Sequence, residues 1–134
     1  MEGRRILNDR VLNMVIALLP HLIHSIIDSM SKNLLTDTVC ERTHKLTQRL
    51  QEDYDRKSYG SHYTFDIKEG RKYYKIYAHN QGVHAFVDIK TGDVYKPASY
   101  SKPAAIVRYN LLDDSSYAEC INRADWAGGY LYLR

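Results

Sequence analysis

The chain has 134 residues, of which 44% are hydrophobic and 26% are charged, and its formal net charge is +3 at pH 7. This length excludes a multidomain enzyme, and the composition excludes a disordered, collagen-like or membrane-embedded protein. The two cysteines, Cys40 and Cys120, lie 80 positions apart. That spacing excludes a disulfide framework and is typical of a protein in a reducing cytosol.

Tyrosine content and local charge both favour binding over catalysis. The chain has 12 Tyr against 2 Phe and 1 Trp, and flat rings with hydroxyl tips suit half-wet surfaces that meet a partner. Residues 68–108 contain eight basic and three acidic side chains, whereas residues 1–67 contain nine of each. A basic stretch of this kind attracts phosphates or acidic surfaces, and the alternative is a solvated face that keeps the protein soluble.

A long and largely apolar helix is predicted over residues 5–32, with a thin polar stripe that includes Pro20, His21 and His24. These residues interrupt an apolar run of only about 17 residues, which disfavours a membrane span. Another helix or another subunit must cover this segment, so we expect a homo-oligomer through residues 5–32 and no membrane partner. Pro20 is predicted to kink the helix or to end it.

A second helix is predicted after a polar break at residues 33–37, where Thr36 or Asp37 is the expected N-cap. Its apolar positions form a narrow seam at three- and four-residue spacing, consisting of Val39, Thr43, Leu46, Leu50 and Tyr54. The two helices are interpreted as a hairpin or as oligomerising helices, and residues 1–58 as a helical oligomerisation segment.

The period changes to that of β-strands after the charged stretch at residues 51–60, and strands are predicted at residues 62–67, 72–78, 83–89 and 93–96. Loops of two to four residues are too short for a parallel crossover, so these strands form an antiparallel meander. Within the third strand, one face is predicted to carry Val83, Ala85 and Val87, and the other His84, Phe86 and Asp88.

Short helices are predicted in the C-terminal part. Ser101 followed by Pro103 opens one that continues through Arg108, and Asp114 or Ser115 caps another that continues through Ala124. The tail, residues 128–134, alternates in polarity and is predicted to add an edge strand. The fold class is therefore α+β, with a small antiparallel sheet and short helices in residues 59–134.

Residues 86–110, FVDIKTGDVYKPASYSKPAAIVRYN, resemble a family of small uncharacterised bacteriophage proteins. Members carry a phrase close to FVDxxTGDVYKPASWxxPA followed by RxN, and this chain has Tyr100 where they often have Trp. The family supplies no settled biochemical activity. The resemblance implies a phage origin and therefore action in the cytoplasm of an infected bacterial cell.

The candidate ligand site lies in the same stretch and combines cations, hydrogen-bonding groups and planar rings. Its members are the cations Lys96, Lys102 and Arg108, the polar residues Ser99 and Asn110, and the rings of Tyr95, Tyr100 and Tyr109. Such a set suits a phosphate with a stacked base. The alternative is a loop whose charges pair locally, for example with Asp93 and Asp113.

The sequence thus predicts a non-enzymatic protein that needs no cofactor or metal and binds a nucleotide-like, phosphate-bearing small molecule, such as a host immune signal that a phage gains from removing. No glycine-rich phosphate motif is present. One alternative is a nucleic-acid-binding accessory protein, in which the basic stretch follows a backbone and tyrosines stack on bases. Another is a structural or inhibitory protein that engages virion or host proteins through the apolar helix.

Overall fold

The structure, a computed structural model, describes residues 9–57 and 63–132, with side chains at Pro20 and from Leu22 onward. Over these residues it is an α+β fold, as the sequence predicts. Its elements are α1 (Asp9–Lys57), β1 (Phe65–Glu69), β2 (Tyr73–Ala78), β3 (Gly82–Asp88), β4 (Asp93–Pro97), β5 (Pro103–Asn110), α2 (Asp114–Arg123) and a 3₁₀ helix (Gly129–Leu131). The chain divides into two units, Met1–Leu34 and Leu35–Arg134, and the second contains the sheet.

Helix α1 has no break at residues 33–37, so the hairpin is not formed and this prediction is wrong. No glycine or proline occurs between residues 21 and 57, and the helical backbone therefore has no local reason to stop. Pro20 lies inside α1 and does not end it. Among the described residues, no helix combines the length and the apolar character that crossing a membrane requires.

The strands form an antiparallel meander in the order β1-β2-β3-β4-β5, which confirms the predicted topology of the first four. Strand β5 replaces the helix predicted through Arg108. Ile106 and Val107 are β-branched and favour extended backbone. The short loop after β4 brings Pro103 opposite Pro97, so β5 pairs with β4 as an edge strand, a position that tolerates a proline at its first residue.

Helix α1 covers one face of the sheet with the predicted seam. Val39, Thr43, Leu46, Leu50 and Tyr54 are all buried, as their spacing predicts. The sheet meets them with every second residue of its strands, namely Phe65, Tyr74, Ile76, Ala78, Ala85, Val87, Val94 and Tyr109. Gln51 joins the two layers, because its amide donates to the Tyr63 carbonyl (2.9 Å) and accepts from the Phe65 amide (2.8 Å).

A β-bulge in β3 changes the predicted placement of His84 on the same face as Phe86 and Asp88. Ile76 pairs with Ala85 but Tyr77 pairs with Val83, so His84 is the extra residue. The His84 ring packs edge-on against Phe65 (5.4 Å) and stacks on Tyr130 (5.6 Å), and His84 Nε2 lies 2.8 Å from the Tyr130 hydroxyl. Burial lowers the pKa of His84 from 6.5 to about 4, although Asp125 acts in the opposite direction. The ring is therefore neutral at pH 7.

The C-terminal segment closes the core with α2 and a 3₁₀ turn. Asp113, not the predicted Asp114 or Ser115, is the N-cap of α2, since its carboxylate accepts from two backbone amides of the first turn. The predicted edge strand at the tail is a 3₁₀ helix over Gly129–Leu131. The Asp125 carboxylate explains this turn, because it accepts from the amides of Gly129 (3.2 Å) and Tyr130 (3.1 Å).

Asp53 ties α1 to this C-terminal segment. Its side chain is 2% exposed, accepts from the Trp126 amide (3.0 Å), and forms ion pairs with Arg56 (2.9 Å) and Lys57 (3.0 Å). Burial raises the pKa of Asp53, but the hydrogen bonds from Trp126, Lys57 and Arg56 outweigh burial and leave this pKa below its usual value. The carboxylate thus stabilises the fold at neutral pH, and the contribution is lost as the pH falls through the lowered pKa.

Asp53→Asn is expected to lower the free energy of unfolding by about 2 kcal/mol, because it removes the charge that pairs with Arg56 and Lys57 and accepts from the Trp126 amide. Urea denaturation at pH 7 measures the effect. Asp55→Asn is the matched control, since Asp55 is exposed on the same helix, and we expect a change within about 0.5 kcal/mol. Equal effects of the two substitutions would contradict the role of Asp53.

Stability is also expected to depend on pH through His84. Its folded pKa of about 4 lies below the ordinary 6.5, so the unfolded state binds more protons between these values. The contribution of His84 to the free energy of unfolding then has its full value above about pH 6.5. It falls towards pH 4, by at most about 3 kcal/mol. His84→Gln should flatten this slope in urea titrations at a series of pH values. His79→Gln, at an exposed histidine, is the control and should keep the wild-type slope. An unchanged slope in His84→Gln would contradict the role of His84.

Candidate functional site

Aromatic side chains gather on the sheet face opposite the core, which we call the outer face and define by Tyr73, Lys75, Phe86 and Tyr95. Lys75, Phe86 and Tyr95 lie opposite one another on β2, β3 and β4, and Tyr73 is two positions from Lys75 on β2. The Tyr73 ring meets Phe86 edge-on at 5.7 Å and Tyr95 at 6.1 Å. Although it points away from the core, Phe86 is only 2% exposed, so these rings form a packed cluster.

Tyr100, in the loop between β4 and β5, adds an exposed ring to the outer face. It is 66% exposed, and Lys75 Nζ lies 4.0 Å from its ring centroid and 5.6 Å from that of Phe86. Lys72 Nζ lies 5.4 Å from the Tyr73 ring. These cation–π contacts hold ammonium groups beside ring faces. The outer face therefore offers charge and planar surface at the same place.

A groove with a volume of about 190 Å³ runs along this face, and we call it the basic groove. Its lining contains four cations and no carboxylate, and consists of Lys68, Gly70, Arg71, Lys72, Tyr73, Lys75, Phe86 and Ser101. Within the described part of the chain, the ion pairs involve none of these four cations. Lys68 and Lys75 even lie directly opposite each other on β1 and β2, a like-charge pairing that destabilises a sheet.

Burial raises the pKa of Tyr95, and Asp93 and Tyr73 add to this effect while Lys72 opposes it. The Tyr95 hydroxyl is therefore protonated at neutral pH and carries no negative charge that would repel an anion. Within the described residues, no three His, Cys, Asp or Glu side chains are grouped to hold a metal ion. What the outer face can do chemically is attract phosphates and stack on planar rings.

The predicted site residues fall on different parts of the molecule. Tyr95 and Tyr100 belong to the outer face, as described above. Ser99 and Lys102 are exposed in the same loop as Tyr100, where the Lys102 carbonyl accepts from the amides of Ala98 (2.9 Å) and Ser99 (3.1 Å). Ser101, which lies between Tyr100 and Lys102 in the sequence, lines the basic groove. The four predicted residues are therefore close in sequence to a residue of the groove.

Lys96 and Tyr109 lie away from the outer face. Lys96 Nζ sits 4.4 Å from the Tyr132 ring centroid and lines a separate pocket of about 160 Å³ together with His84 and Trp126. Tyr109 is buried in the core, where its hydroxyl donates to the Tyr130 carbonyl (2.8 Å). Lys96 and Tyr109 therefore do not join Tyr95 and Tyr100 in one pocket.

Asn110 and Arg108 are placed by the pairing of β4 with β5. The Asn110 amide donates to Asp93 (2.7 Å) and to the Thr91 carbonyl (2.9 Å), and its oxygen accepts from the amides of Leu112 and Asp113. These bonds give Asn110 a role in shaping the turn into α2. Val94 pairs with Tyr109 and Tyr95 with Val107, so Arg108 is the extra residue of a second bulge, and it is half-buried.

Sequence reasoning counted the four groove cations in the basic stretch but did not assign them to the site. The missing signal is the alternation within β2. Tyr73, Lys75 and Tyr77 occupy one set of alternate positions, and the buried Tyr74, Ile76 and Ala78 occupy the other. Reading β2 with period two would have placed Tyr73 and Lys75 together on a face that the core does not use.

The comparison with known families finds one family model that covers most of the chain. The model of a family of unknown function, DUF7717, matches residues 22–133. No curated protein and no solved structure matches the chain. Since the family model spans well over half of the sequence, including every strand of the sheet, the chain belongs to the family of unknown function DUF7717.

Proposed function

We propose that the protein binds single-stranded nucleic acid on the outer face of its sheet. The observation that carries the proposal is the basic groove, in which four cations and no carboxylate surround a pair of rings. The opposed Lys68 and Lys75 repel each other in the free protein. A bound phosphate would relieve this repulsion, and the exposed ring of Tyr100 beside Lys75 would receive the base attached to it.

The arrangement favours a strand over a single enclosed nucleotide. The cations are spread over β1, the turn that follows it and β2, and Tyr100 reaches the same face from the loop between β4 and β5. One mononucleotide offers phosphates at one position only, whereas a strand presents them at regular intervals beside exposed bases. Lysine side chains at the surface also suit a backbone, because they act as flexible point charges.

The proposed setting is the cytoplasm of an infected bacterial cell. The resemblance of residues 86–110 to bacteriophage proteins supports it, and so do the two free thiols of Cys40 and Cys120. Capture of a small nucleotide signal rests on the same cations and rings. It differs from strand binding in its dependence on salt and on ligand length, and both are measurable.

Binding to an oligothymidylate labelled with a fluorophore is expected to weaken steeply with salt. Four phosphate contacts give a slope of log K against log salt of about −3 for a single strand. Arg71→Gln combined with Lys72→Gln should reduce this slope to about −1.4 by removing two contacts. Fluorescence anisotropy measures both, and Lys45→Gln, which removes an exposed cation of α1, is the control expected to keep the wild-type slope.

A mononucleotide that binds as tightly as the oligomer, with little response to salt, would contradict strand binding and support capture of a small molecule. The same conclusion would follow if protein purified from infected cells and then denatured released a stoichiometric nucleotide detectable by mass spectrometry.

Tyr100→Leu is expected to weaken oligonucleotide binding about tenfold, because stacking on one base contributes about 1–3 kcal/mol. Tyr100→Trp should retain binding, since indole presents a larger ring face. Tyr132→Leu is a matched control, because Tyr132 is 65% exposed and does not line the basic groove. Anisotropy titrations compare the three variants. Equal losses in Tyr100→Leu and Tyr132→Leu would show that Tyr100 has no specific role.

A further inference from the structure

Helix α1 presents an apolar stripe between Leu22 and Leu34. Six large side chains in it are 44–67% exposed, namely Leu22, Ile23, Ile26, Ile27, Met30 and Leu34. Exposure of this extent at spacings of three and four residues is typical of a helix face that another helix covers. We propose that this stripe packs against the same stripe of other copies of the chain, and that the assembly contains three or more copies.

The area of the stripe is close to what a stable interface requires. With roughly 200 Å² for a fully exposed leucine, isoleucine or methionine, the six residues offer about 700 Å² per copy, which a bundle divides between neighbouring helices. Each partner in a standard two-protein interface contributes about 800 Å².

Charge favours copies of this chain as the occupant. Between Leu22 and Leu34 the charged residues are Asp28 and Lys32, which pair with each other at 3.4 Å. At about 100° per residue they lie on the side of the helix opposite the stripe. Ser29 and Ser31 lie beside the stripe and Asn33 lies within its arc. All three are uncharged, so identical helices meet without like-charge repulsion. A helix that lies on a lipid surface has a polar face rich in Lys and Arg, which this segment lacks.

The width of the stripe sets the number of copies. With successive residues about 100° apart, Leu22 and Ile27 mark its two edges and the six side chains cover an arc of about 140°. A two-stranded coiled coil buries a narrower seam of first and fourth heptad positions. In a pair of helices, one edge of this stripe would stay in water, whereas a bundle of three or more helices covers both.

Sedimentation equilibrium of the full chain tests the proposal. We expect a mass of at least three times the 15.6 kDa of one chain. Met30→Lys places a charge near the middle of the stripe and should sediment as a monomer, with an unchanged far-ultraviolet circular dichroism spectrum because Met30 is exposed in the single chain. Ser25→Lys, with the same charge on the opposite side of the helix, should assemble like the wild type.

Two results would overturn the proposal, a monomeric or dimeric wild type and a Met30→Lys variant that still assembles. If a monomeric wild type also binds vesicles of neutral and anionic lipid, the stripe is assigned to a membrane surface. The proposal is independent of strand binding, since monomeric Met30→Lys retains the basic groove. Its binding to a short oligonucleotide is expected to match that of the wild type.

Discussion

Helix α1 can cover only one face of a five-stranded sheet, and this constraint decides where the rest of the chemistry lies. The seam from Val39 to Tyr54 covers the core face of the sheet. Among the described elements no helix packs on the other face, so its residues must be stable beside solvent. Tyrosine meets this requirement because its ring packs while its hydroxyl stays wet, and Lys75 does so by holding its ammonium group beside the rings of Phe86 and Tyr100. The buried Phe86 shows that the outer face has a small core of its own.

Two bulges determine which side chains can act together. A shift of one residue in a strand moves every following side chain to the opposite face. The bulge at His84 places the half-buried imidazole beside Tyr130. Because of the bulge at Arg108, Tyr109 pairs with Val94 and Val107 with Tyr95, so Val107 and Tyr109 lie on different faces. Plain strand alternation also sends neighbouring residues to different surfaces. Tyr95 packs with Tyr73 on the outer face, while the next residue, Lys96, reaches Tyr132 on the other side.

The sequence predicts well whatever depends on local period and loop length. The five buried seam positions of α1 follow from helical spacing, and the antiparallel order of the first four strands follows from short loops. It predicts poorly what depends on partners distant in the chain. Residues 103–110 are a strand because β4 is available to pair with them. For the site, the kinds of side chain follow from the sequence, but the opposition of Lys68 and Lys75 exists only once β1 and β2 are paired.

Assembly through α1 and binding on the sheet gain from each other if the ligand is a polymer. One groove with four cations makes few contacts with a strand, and salt screens each of them. Copies joined by their helices would present several grooves to one strand, and each later contact would then form at a raised effective concentration. A mononucleotide cannot bridge two grooves and would gain nothing from such an arrangement. Under the two proposals, a long anionic ligand would give a role to both the exposed stripe of α1 and the open basic groove, whereas a small ligand would give a role to the groove alone.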